Sequence, residues 1–153
     1  MKKNYLTKEK FEELQKELQV LKTVKRKDVA EKLGHARSLG DLSENAEYHE
    51  ARNAQAEIES RINYLTEFLK NIEIVTKNTT DQVKAGSKVT IAKKKGGEKT
   101  TYQIVSAEEA DLAEFKISYE SPLGESVMNK KKGDTFTFQT PKGSVDFIVV
   151  DIK

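Results

Sequence analysis

The chain of 153 residues contains no cysteine and no tryptophan, and only two prolines. Without cysteine there is neither a disulfide framework nor a thiolate site, which agrees with a cytoplasmic location. No apolar run approaches the 18 residues a membrane helix needs. The opening Met-Lys-Lys-Asn-Tyr-Leu-Thr-Lys-Glu lacks the apolar core of a secretory signal. Charge of one sign is also missing: the formal net charge is +2. Up to Val75 there are 14 basic and 14 acidic residues, and 13 and 11 after it. Neither part is a polycation, so a protein partner fits better than naked DNA. Phosphate-cradling glycine loops and nucleophile triads are absent as well.

What is present is helical periodicity followed by a change of period. Charged residues make up 34% and hydrophobic ones 36%, too polar for one large core, so a solvated helical rod beside a small globular unit is expected. After Thr7, a plausible helix cap, Phe11, Leu14, Leu18, Leu21, Val29, Leu33 and Ala36 recur near three and four. This seam turns polar at Lys25 and Asp28. A second seam is unbroken in spacing: Tyr48, Ala51, Gln55, Ile58, Ile62, Leu65, Leu69 and Ile72. Its heptad step, interrupted only by polar Gln55, favours left-handed coiled-coil packing. Two helices of about 30 residues make a rod of roughly 45 Å at ~1.5 Å per residue. The short turn between them makes them antiparallel neighbours.

The domain organisation expected is a hairpin over 1–75, a polar linker over 76–86 and a sheet domain over 87–153. In the last part Val89-Thr90-Ile91, Tyr102 to Val105, Phe115 to Tyr119, Thr135 to Phe138 and Val145 to Val150 read as strands. Ser121-Pro122 opens a short helix over 123–130, with proline suited to a first helical turn. The fold class is therefore α+β: a helical hairpin, then one antiparallel sheet with a single helix.

Between the two helical patterns lies Gly-Asp-Leu-Ser-Glu-Asn at 40–45. Gly40 accepts the backbone that ends a helix, and Ser43 is expected to cap the next one. Asp41 and Glu44 then sit at the tip of the rod. On spacing alone they read as solvated loop acids, Asp41 as a common turn residue and Glu44 as favoured by a helix start. Their spacing also allows both to approach one hard cation such as Mg2+, which accepts one or two carboxylates when another molecule supplies the rest. As a complete cage they are poor; as a donated half-site they make sense.

The run Gly-Asp-Leu-Ser-Glu-Asn-Ala-Glu-Tyr, with Ala-Arg on either side, resembles the signature of the Gre factors, bacterial transcript-cleavage factors. The Ser-Pro-Leu-Gly ahead of the short helix resembles their C-terminal FKBP-like domain, so the likeness covers nearly the whole chain. One departure is the segment 125–130, where family members carry Ala-Leu-rich residues and a glycine. The resemblance implies that the coiled coil enters the secondary channel of RNA polymerase and promotes cleavage of backtracked RNA. It further implies that Asp41 and Glu44 help hold a Mg2+ shared with the polymerase and orient the attacking water, so the protein activates in trans and is no enzyme by itself. Leu42 and Ser43 would shape the tip, with Asn45 and Tyr48 behind it. Arg37 and Arg52 would meet the nascent RNA 3′ end or channel acids, and Ser121 and Pro122 would anchor the second domain to the polymerase. Arg26 and Lys27 are weaker contact candidates.

Other readings remain. Gre-like channel binders that retune polymerase without cleavage carry a more acidic tip than the two acids here. A prolyl isomerase is disfavoured, because the second domain has no tryptophan for an aromatic-lined pocket. His35 and His49 read as surface histidines, and Glu47 and Glu50 as helix-surface charge. The free protein is expected to be a monomer.

Overall fold

The computed structural model describes residues 3–76 and 81–153. They form two units: Glu9–Ile72, and Lys3–Lys8 together with Glu73–Lys153.

In the first unit α1 (Lys8–Val20) runs through a π-helical turn, Leu21–Lys25, into α2 (Arg26–Ser38). The π turn explains the break in the first seam. Leu21 and Val29 are eight positions apart where a heptad needs seven. A π turn takes up the one extra residue and brings the seam back into phase. Leu14 lies buried before it, and Val29, Leu33 and Ala36 after it. Gly40, at φ 115°, ends this arm in a backbone that a side chain would disfavour.

The return arm is α3 (Ala46–Phe68). Ala51, Ile62 and Leu65 of the second seam are buried, while Tyr48, Gln55 and Ile58 are half-buried. Two bidentate ion pairs tie the arms together. Arg26 donates to both Glu59 oxygens at 2.8 and 2.9 Å, and Arg61 to both Glu17 oxygens at 2.7 and 3.1 Å. All four groups are partly exposed, so the pairs fix orientation more than they stabilise. The arm is shorter than its seam. After Phe68 the chain tightens into a 3-10 turn, Leu69–Asn71, and Ile72 opens a strand. At 23 residues α3 measures ~35 Å.

Two short strands were not anticipated. β1 (Asn4–Leu6) and β2 (Ile72–Ile74) form a two-stranded sheet, which Val75 extends by donating its N–H to the Leu6 carbonyl at 2.8 Å. Thr7, just before α1, gives its hydroxyl to the Glu109 carboxylate at 2.7 Å.

In the second unit β3 (Lys88–Lys93), β4 (Thr100–Val105), β5 (Lys116–Ser118), β6 (Thr135–Thr140) and β7 (Gly143–Ile152) form a sheet ordered β5-β4-β3-β7-β6. The expected antiparallel pairing holds except at one edge: β5 runs parallel to β4. The 106–115 crossover, with its 3-10 turn Leu112–Glu114, carries the chain back beside Gln103 of β4 before β5 begins. The α+β class with one short helix is the class found. That helix, α4 (Pro122–Val127), stops before the expected Lys130. Asn129 follows at φ 66°, in the left-handed region that asparagine tolerates better than most residues.

The core of this unit is Val83, Val89, Ile91, Ile104, Ile117, Val127, Phe136 and Val149. Val83 lies inside the 76–86 segment read as a linker, of which residues 77–80 are outside the described residues; Val83 is fully buried. Gly124 packs so closely on β5 that an added Cβ would stand 1.9 Å from the Ser118 carbonyl oxygen. No helix among the described residues is long and apolar enough to cross a membrane.

Candidate functional site at the hairpin tip

The tip is a turn of five residues between Gly40 and α3, built by two side chains. Asn45, not Ser43, caps α3: its Oδ1 accepts from the Tyr48 N–H at 3.1 Å. Its Nδ2 donates to the Ala36 carbonyl at 2.6 Å, closing the end of α2 onto the start of α3. Asparagine can do both because it carries a donor and an acceptor; the serine hydroxyl reaches only its own neighbourhood. Consequently Glu44 precedes the cap and lies outside the first helical turn, where Glu47 stands instead. Removing this cap in Asn45→Ala is expected to cost about 1–2 kcal/mol. Urea unfolding, with amide exchange accelerated across 43–49, would check it.

Ser43 serves Asp41. Both its N–H (3.0 Å) and its hydroxyl (2.8 Å) donate to Asp41 Oδ1. These bonds, the backbone one foremost, hold the Asp41 carboxyl below the usual Asp range. Oδ2 accepts nothing from the described residues, and Asp41 is exposed. The depressed pKa means the turn keeps this support above the ordinary Asp range and loses it as pH falls through the lowered value. Ser43→Ala is expected to move the Asp41 titration back up, as carboxyl NMR shifts would record.

Glu44 is exposed and takes no partner among the described residues. Leu42 is 39% exposed, and Leu39 is more so. Tyr48 is half-buried behind the turn and meets the His49 ring edge-on at 5.6 Å. His49 Nε2 also comes within 3.4 Å of the Ser43 carbonyl oxygen, a contact that neither spacing nor composition signalled. Among the described residues no group of three or more His, Cys, Asp or Glu is placed to hold a metal ion. Two carboxylates on an exposed turn fit a shared ligand set and not a complete one.

The hairpin presents different charges on its two flanks. Arg37 lies about three turns beyond Arg26, and Arg52 about two turns before Glu59, so both share the flank of the Arg26–Glu59 bridge. Arg37 is exposed; Arg52 reaches Gln55 Oε1 only at 3.4 Å. Arg26 is paired with Glu59. The opposite flank holds a groove of about 710 Å³ lined by Asp28, Glu31, Lys32, His35, Glu47 and Glu50. Four acids on the groove side and two arginines on the other give the tip half of the hairpin two flanks of different charge.

Residues 4–74 match the model of the transcription elongation factor N-terminal domain, and residues 78–153 that of the GreA/GreB C-terminal domain. The chain belongs to the GreA/GreB family of transcription elongation factors. It is 45% identical over 150 residues to transcription elongation factor GreA of Geobacillus kaustophilus, covering 97% of this chain and 95% of the relative. With GreA of Clostridium perfringens it shares 46% over 154 residues, or 99% and 98% of the two chains. A crystal structure of GreA factor homolog 1 from Thermus thermophilus aligns over 99% of both chains at 28% identity, with a TM-score of 0.46.

In this Gre-family chain the second candidate surface is the start of α4. Ser121 caps the helix: its hydroxyl accepts from Gly124 N–H at 3.1 Å and donates to the Ser118 carbonyl at 2.6 Å. Its side chain is thereby committed inside the turn, and exposed Pro122 is the residue left facing outward. Ser121 positions; Pro122 is the one free to touch a partner.

Proposed function

We propose that this Gre-family chain binds bacterial RNA polymerase, inserts the tip of its hairpin into the secondary channel and stimulates cleavage of backtracked RNA. The observation that carries the reading is the tip itself: two exposed carboxylates on a turn fixed from behind by Asn45 and Ser43. A pair of acids with no cationic partner among the described residues, braced at the end of a rod, suits delivery into another molecule's site.

In this reading Asp41 and Glu44 would hold a Mg2+ jointly with the polymerase. When bound there, the ion supplies positive charge that activates water and stabilises the oxygens of the cleaved phosphodiester. Asp41 presents Oδ2 while Ser43 fixes Oδ1, so the carboxylate arrives ionised and with its orientation set. Glu44, one residue before the cap, brings the second carboxylate. Arg37 and Arg52 on a common flank would meet the phosphates of the nascent RNA 3′ end or the acids of the channel wall. Pro122, positioned by Ser121, would contribute to anchoring on the polymerase. The chain is then an activator in trans, without hydrolytic activity of its own, acting in the cytoplasm as a monomer.

The test is RNA cleavage in stalled elongation complexes with and without the protein at fixed Mg2+. Shortened transcripts appearing faster with the protein are the expected result. Tight binding with no added cleavage would instead make it a channel-binding regulator.

A further inference from the structure

The run Lys93-Lys94-Lys95 and the isolated Lys142 are far apart along the chain, but the sheet brings them to one end. The end of β3 lies beside the first half of β7: Lys93 pairs with Phe147, and Lys94 N–H donates to the Asp146 carbonyl at 2.9 Å. β6 turns into β7 at that same end, where Thr140 pairs with Gly143. The β3–β4 turn therefore carries Lys93, Lys94, Lys95 and Lys99 to the end of the sheet that also holds Lys142. All five are exposed, and none makes an ion pair with a described residue. Glu98 and Asp146 are the acids of the two turns, and Asp146 already accepts from the Thr137 hydroxyl at 2.7 Å. The near-neutral total of the chain hides this local excess of cations.

Beside the lysines the sheet opens into an aromatic groove. α4 covers only part of the sheet face, where its Val127 is buried with Val89, Ile104 and Val149. Two residues further toward the lysine end, on the same face of their strands, Tyr102 and Phe147 stay half-buried. With Phe138, Leu123 and Lys93 they line a groove of about 470 Å³. Rings in a groove and cations at its rim are what unpaired nucleic acid needs: bases stack on the rings while ammonium groups meet the phosphates. An acidic peptide would use the lysines and leave the rings without a flat partner. A duplex keeps its bases stacked on one another and would use the rim alone. The chain belongs to a family of transcription elongation factors, which work where RNA is made as a single strand.

We propose that this groove and its lysine rim bind single-stranded RNA, a base stacking among Tyr102, Phe138 and Phe147 while the flanking phosphates meet the lysines of the two turns. The site lies within the second unit and is independent of what the tip carboxylates do in cleavage. The test follows the fluorescence anisotropy of a labelled, unstructured RNA oligonucleotide titrated with full-length protein over a range of salt concentrations. The same sequence is then offered as single-stranded DNA and as duplex RNA, and ATP is added as a competitor. The variants are the triple change Lys94→Gln/Lys95→Gln/Lys142→Gln and the single changes Tyr102→Leu and Phe138→Leu, each also melted thermally. The triple variant alters only exposed side chains, so its melting temperature should hold. Its RNA affinity should fall at least tenfold, and the slope of log affinity against log salt should shrink by about 2, from three lost phosphate contacts. Each ring variant should weaken binding roughly tenfold with the slope unchanged. No binding by the wild type at low salt, or none of the variants weakened, overturns the proposal. So does weakening in the triple variant alone, or duplex bound as tightly as single strand, since either reduces the site to a general polyanion patch. Tighter binding of the DNA strand, or displacement of the RNA by micromolar ATP, assigns the groove another ligand and overturns it as well.

Discussion

Asp41→Asn and Glu44→Gln are each expected to cut stimulated RNA cleavage by about 100-fold or more while leaving polymerase affinity close to that of the wild type. The size follows from removing a metal ligand where even its outer neighbours are worth ~10–100-fold. The isosteric changes matter for the argument. Asparagine at 41 retains an oxygen that can accept from Ser43, so the turn survives and only the charge is lost. Asp41→Ala removes charge and turn together, and Ser43→Ala removes only the hydroxyl bond, keeping the charge and the backbone bond. Ranking cleavage rates as wild type, Ser43→Ala, then Asp41→Asn would separate ligand from scaffold. Both acids lie on exposed residues away from the buried seam, so urea midpoints should barely move. Full stimulation by the doubly substituted protein, at unchanged Mg2+, would end the idea that the tip donates carboxylates.

The hairpin was legible because its two seams obey helical periods, and burial follows them from Leu14 to Ala36 and from Ala51 to Leu65. What escaped were features with no period to read. Three-residue strands such as Asn4–Leu6 and Ile72–Ile74 show at most one alternation, so Ile72 was absorbed into the heptad that precedes it. The π turn was visible only as a polar blur at Lys25 and Asp28. In fact the step from Leu21 to Val29 already contained it, one residue too long. The direction of β5 depends on where a crossover of the chain returns, and pattern carries no such information.

At the tip the acids were legible as a motif, but the scaffold was misassigned. Ser43 and Asn45 are both good caps, and only three-dimensional closeness to Ala36 gives the place to Asn45. The same closeness frees Ser43 to hold Asp41. Arg37 and Arg52 were singled out for flanking the tip; their common flank follows once the Arg26–Glu59 bridge fixes how the helices face each other.

A rod that delivers ligands must also hold them in register, since metal geometry tolerates little misplacement. The seam carrying that stiffness is thin. Ile62 is 4% exposed and Leu65 fully buried, between arms whose remaining buried residues are Leu14, Val29, Leu33, Ala36 and Ala51. Ile62→Ala or Leu65→Ala is expected to destabilise the hairpin by about 2–5 kcal/mol, measured by urea unfolding followed at helical ellipticity. Gln55→Leu should act oppositely, because Gln55 is half-buried in the seam and loses only a 3.4 Å contact with Arg52. With Asp41 and Glu44 untouched, the loosened proteins should still bind polymerase through the second unit yet cleave slowly. Raising Mg2+ should restore only part of the rate, because the carboxylates are misplaced and not undercharged. Full restoration by Mg2+, or wild-type cleavage by a protein whose tip-proximal amides exchange freely, would show that rod rigidity is not what brings Asp41 and Glu44 to the site.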